Sequence, residues 1–115
     1  MVPLLLQVFL GLAAILVAGL SLAFWRDPEA GMRLATHRKD QLPRVMADRY
    51  LAVAVIAVGL IVWGSVEMVA VFFAASAIMG LGDGWIYARA GLPHGKHTAT
   101  GVLALIALAI TLAHL

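Results

Sequence analysis

Asp83 stands between two glycines in Gly82-Asp83-Gly84, four residues before Tyr87. On a helix that spacing puts the carboxylate and the phenol on one face. The flanking glycines leave room for a partner backbone or a ligand to come close. An aspartate in so apolar a stretch needs a partner, and Arg49 and His97 are the two that the sequence offers. Arg49, in Asp48-Arg49-Tyr50, would hold the carboxylate ionised. His97, in Lys96-His97-Thr98-Ala99-Thr100, could accept or donate a proton beside it. Arg49, Asp83 and His97, with Tyr87 and Thr100 behind them, are therefore the candidate ligand-binding residues. Proton transfer would need one of them within hydrogen-bonding reach of a substrate. The same groups would also serve as an interhelical salt bridge that sets helix register, and spacing alone does not choose between the two.

Glu67 is a secondary candidate. It follows Ser65 by two residues, where a carboxylate suits the positive end of a helix dipole; proton or cation binding is the alternative. His37 and His94 read as loop residues and His114 as the end of the last helix. Haem ligation would need two histidines at membrane depth on facing helices, and His97 alone qualifies. The absence of cysteine excludes disulfides, thiolate metal sites and thiol catalysis. The residues imply no metal, no cofactor and no nucleic-acid partner.

The elements that must position these groups follow from composition. Of 115 residues, 63% are hydrophobic and 12% charged, against about 45–50% and ~25% in soluble domains. A soluble domain of this size could not hide so much apolar side chain, whereas in a bilayer the lipid solvates the outer faces. The first charged residue is Arg26, which makes residues 3–25 a first span, with Pro3 at its start. Basic residues follow this stretch and do not precede it, so we expect an uncleaved span inserted with its amino terminus outside.

The basic segment 26–44 carries Arg26, Arg33, Arg38, Lys39 and Arg44. Asp27-Pro28-Glu29 reads as a helix start and Leu42-Pro43 as a stop, predicting a short amphipathic helix at the membrane surface; a solvated loop that merely sets topology is the alternative. A single helix from Tyr50 to Gly82 would be about 50 Å long at ~1.5 Å per residue, against ~30 Å of hydrocarbon. Trp63-Gly64-Ser65 is the natural break, giving spans at 47–63 and 66–87. Arg89 to Lys96 reads as a turn, and the fourth span as 97–115.

The loop between spans one and two holds five Lys or Arg and the loop between three and four holds two; the loop between two and three has none. By the positive-inside rule both basic loops are cytoplasmic and both termini lie outside. Asp83 then sits about 6–9 Å inside the cytoplasmic end of its helix. Short connections make sequential helices antiparallel, hence an all-α, up-down-up-down four-helix bundle. Gly11, Ala14 and Ala18, Gly80 and Gly84, and Gly101, Ala104 and Ala107 supply the small faces that helices in lipid pack through.

This order of features resembles a family of small bacterial and fungal four-helix membrane proteins, loosely akin to the DoxX-like proteins. The positions that carry the resemblance are a basic, proline-containing segment after the first span, Arg49 opening span two, Gly82-Asp83 late in span three, and His97 opening span four. Members of that family often carry an acid directly after the arginine; here Tyr50 follows and Asp48 precedes. The resemblance implies a four-helix fold and a polar cluster, and it supplies no reaction; the expected location is a cell membrane, the bacterial inner membrane. Small multidrug transporters match in length but use a glutamate within span one, which has no acid here. Fluoride channels carry an Arg-Tyr pair, as in Arg49-Tyr50, together with a membrane asparagine, and this chain has no asparagine.

Three functions are compatible with these residues. The chain could bind, or convert, a small apolar or amphipathic molecule at the cluster in the cytoplasmic leaflet. It could be a non-catalytic subunit or assembly factor of a larger membrane complex. Or it could be a small transporter working as a homo-oligomer, with Glu67 and Asp83 as its titratable pair.

Overall fold

The computed structural model describes residues 2–115, and every long apolar run in it is helical. Helix α1 spans Leu4–Arg26, α2 Pro28–Leu34, α3 Leu42–Trp63, α4 Val66–Arg89 and α5 Gly95–Leu112, with one turn of 3-10 helix at Lys39–Gln41 leading into α3. No strand occurs among the described residues. Four helices (α1, α3 with its leading turn, α4 and α5) are long and apolar enough to cross a bilayer. The all-α, four-span expectation is met, and the chain is a small multi-pass integral membrane protein. It divides into two compact units, one ending at Arg49 and the other Tyr50–Leu115, with the boundary inside α3.

In the first unit α2 starts as the residues require. Asp27 accepts a hydrogen bond from the Ala30 N–H at 3.2 Å, Pro28 opens the helix and Glu29 lies in its first turn. It ends at Leu34, well before the stop expected at Leu42-Pro43. The cause is a Schellman cap. The His37 N–H reaches back to the Met32 carbonyl at 2.8 Å and the Thr36 N–H to Arg33 at 3.1 Å, which puts Thr36 in the left-handed region at φ 58°. Pro43, read as a stop, instead lies in the first turn of α3, where a missing N–H leaves nothing unpaired. The helix that contains the expected second span, 47–63, therefore begins at Leu42. Helix α2 folds onto α1 through Gly31, where a Cβ would lie 2.7 Å from the Phe24 ring.

Thr36 is a β-branched residue in a conformation that costs an L-residue about 1–2 kcal/mol. Glycine avoids that cost but has more freedom to lose from the unfolded chain, ~0.5–1 kcal/mol. We expect Thr36→Gly to raise the stability of this turn by a few tenths to about 1 kcal/mol. Thermal unfolding in detergent, followed by helical circular dichroism, checks this; a lower midpoint would mean that the Thr36 side chain stabilises the turn by a contact of its own.

In the second unit α3 breaks at Gly64, whose N–H still bonds to Leu60, and Ser65 caps α4 by accepting from the Met68 N–H at 3.3 Å. Helix α4 ends in a second Schellman cap. Gly91 takes φ 72°, and the Leu92 N–H reaches Tyr87 at 2.9 Å. Helices α4 and α5 then pack antiparallel along a seam of small residues: Ala77, Gly80 and Gly84 are buried on one side, Gly101 and Ala104 on the other. A Cβ on Gly80 would lie 2.5 Å from the Gly101 nitrogen, and one on Gly101 2.6 Å from the Leu81 nitrogen. The two backbones touch. In lipid, where apolar burial no longer drives association, such close packing is what holds helices together. Ser76 donates to the Phe72 carbonyl at 2.8 Å and Thr111 to that of Ala107 at 2.7 Å, so both hydroxyls are satisfied within their own helices.

Candidate functional site

Asp83 and Tyr87 lie one turn apart on α4, on one flank of the glycine seam, and His97 lies in the first turn of α5. The seam sets their spacing, because Gly80 and Gly84 bring α5 to backbone contact at this end of the hairpin. His97 Nδ1 stands 3.8 Å from Asp83 Oδ2, and the two side chains are 37% and 46% exposed. The Tyr87 ring stacks on the His97 imidazole with centroids 4.9 Å apart and planes 22° from parallel. At 3.8 Å the carboxylate and imidazole face each other without a close hydrogen bond. Their polar atoms remain open on the flank of the hairpin.

Thr100 has its hydroxyl turned to its own helix, 2.8 Å from the His97 carbonyl and 3.1 Å from that of Lys96. Its donor is used there. His94, read from sequence as a loop residue, and Thr98, given no role there, complete this end. Thr98 Oγ1 lies 2.9 Å from His94 Nδ1, and it also occupies the space where a Gly84 side chain would project, 2.5 Å from a Cβ built there. His94 and Thr98 are four residues apart at a helix start, a spacing that could have revealed them. Beyond the trio, the Arg89 guanidinium lies over the Trp85 ring at 5.2 Å.

Arg49 belongs to the first unit, and its partner there is His37, a residue read from sequence as a plain loop histidine. Arg49 Nη2 lies 3.3 Å from His37 Nε2. A guanidinium only donates, so Nε2 accepts and the ring proton is assigned to Nδ1. No sequence spacing signals this contact, since twelve residues and two turns separate the partners. Glu67 is exposed in the first turn of α4, directly after its serine cap, where unpaired backbone N–H groups favour a carboxylate. His114, near the end of the chain, has its Nδ1 2.8 Å from the Ile110 carbonyl.

Among the described residues no three of His, Asp and Glu converge as metal ligands. The Asp83/His97/Tyr87 trio thus presents a carboxylate acceptor, an imidazole that both donates and accepts, and an aromatic wall. Such a set can hold a hydrogen-bond donor or a polar head group and exchange a proton with it. No protein-family model, no curated protein and no solved structure matches the chain.

Proposed function

We propose that the chain binds a small amphipathic molecule, which enters from the bilayer and seats its polar head on Asp83 and His97 against the Tyr87 ring. The observation that carries this reading is the openness of the pair. A carboxylate and an imidazole that served only to set helix register would be expected buried in the seam and tightly bonded. Here glycine and threonine contacts set the register, and the polar pair lies beside the seam, half-exposed and 3.8 Å apart. Such groups at membrane depth are costly without a partner. A head group bearing a hydroxyl or amine donor matches the open carboxylate, and its apolar tail would stay in lipid along the flank of α4.

On this reading both basic loops are cytoplasmic and the site lies in the cytoplasmic leaflet. The resemblance to the DoxX-like proteins, and with it a bacterial inner membrane, belongs to the same proposal. The test is native mass spectrometry of the protein released gently from its own membrane, comparing wild type with Asp83→Asn. A discrete small-molecule adduct on wild type that the variant loses supports the proposal, and its mass gives the ligand class. Bare protein in both forms, or one partner protein bound equally to both, would replace it with the subunit reading.

A further inference from the structure

Among the described residues Arg49 is a cation without an anion within salt-bridge distance. The salt bridges among the described residues join Arg38 to Asp40 and His97 to Asp83; none reaches Arg49. Its one side-chain hydrogen bond among the described residues is to the His37 ring, which occupies a single N–H of a group that carries five. The His37 backbone is clamped by the α2 cap, and its ring lies tilted against Phe24 with centroids 6.5 Å apart. Thr36 is held in the left-handed region beside it, at a position where glycine is usual. The imidazole thus braces one edge of the guanidinium and leaves the rest of its planar fork open.

Phe24 lies two residues from the end of α1, and Arg49 about two turns into α3. Both are at the membrane-boundary end of their helices, beside a segment rich in Arg and Lys whose positive potential draws anions to this surface. A planar fork of parallel N–H donors fits the oxygens of a phosphate two at a time.

We propose that Arg49, braced by His37, forms a binding site for a phosphate group, carried either by an acidic membrane lipid or by a soluble phosphate ester. A bound phosphate would accept from the guanidinium N–H groups that His37 leaves free. The site shares no residue with the Asp83/His97/Tyr87 trio.

The test uses the full chain in a neutral detergent, with phosphatidic acid, phosphatidylglycerol or phosphatidylcholine added at equal concentration and bound lipid counted by native mass spectrometry. Wild type should retain the two acidic lipids over phosphatidylcholine, and Arg49→Gln should weaken that retention about tenfold, as loss of a charge-assisted hydrogen bond implies. Arg49→Lys, which keeps the charge and loses the fork, should fall in between, and His37→Phe, which loses the brace, should also weaken it. Arg44→Gln removes the same charge elsewhere and should retain lipid as wild type does. Helical circular dichroism verifies that each variant is folded. Glycerol phosphate is the competitor that separates the sources: displacement of the lipid identifies a phosphate-ester site, and no displacement identifies a lipid site. Equal loss in Arg44→Gln and Arg49→Gln would overturn the proposal in favour of diffuse surface charge, as would full retention by Arg49→Gln or by Arg49→Lys.

Discussion

Gly101→Val should separate α4 from α5 and cost the second unit about 2–3 kcal/mol or more. Even the first added carbon has no place to go, because a Cβ at Gly101 would lie 2.6 Å from the Leu81 backbone nitrogen and 2.7 Å from its side chain. A backbone cannot rotate away as a side-chain tip can, so the helices must move apart along the whole seam. Gly101→Ala sets two effects against each other. Alanine favours the helix by about 1 kcal/mol, while overpacking costs ~1–3 kcal/mol; the contact with backbone decides for a net loss. Gly80→Ala should behave alike, since its Cβ would meet the Gly101 backbone at 2.5 Å. Gly82→Ala is the control, as nothing lies within 4 Å of a Cβ there, and its stability should hold or rise. Unfolding midpoints in detergent for the four variants check the ranking. Equal midpoints for Gly101→Ala and Gly82→Ala would show that the close seam does not hold the hairpin.

Asp83→Asn and His97→Gln should each strip the proposed ligand while changing stability little. A partly exposed carboxylate–imidazole contact at 3.8 Å contributes at most ~0–1 kcal/mol, so a double-mutant cycle on unfolding should give a coupling below about 1 kcal/mol. A hydrogen bond from a ligand to the charged carboxylate contributes about 1.5–3 kcal/mol, so affinity should fall roughly ten- to a hundredfold or more. The contrast between the two readouts is the substance of the proposal. A strong coupling in stability with unchanged ligand retention would instead make the pair a register pin. Tyr87→Phe keeps the ring stacked on His97 and should leave stability unchanged, so any loss of ligand in that variant would assign the phenol hydroxyl to the head group.

The caps show how far local sequence carries. Asp27-Pro28-Glu29 and Trp63-Gly64-Ser65 mark helix boundaries where the chain places them, because capping is decided within a few residues. Leu42-Pro43 misleads for the same local reason read in reverse. A proline is tolerated equally just past a helix end and in a helix's first turn, and only the cap at Thr36 shows that α2 has already closed. Glycine at residue 36 would have announced that closure, as Gly91 does for α4; threonine conceals it.

By itself the sequence determined what depends on composition and short-range pattern: the membrane as solvent, four long apolar helices, and the shared face of Asp83 and Tyr87. Each follows from runs or spacings within a few helical turns. Only the tertiary structure decided which small residues touch, that the Asp83/His97 pair lies beside the seam and not in it, and that Arg49 is braced by His37. Those outcomes depend on how one helix is rotated against the next. In a chain so uniformly apolar the hydrophobic pattern does not specify that rotation, because lipid solvates every face alike; backbone contact at a few glycines does.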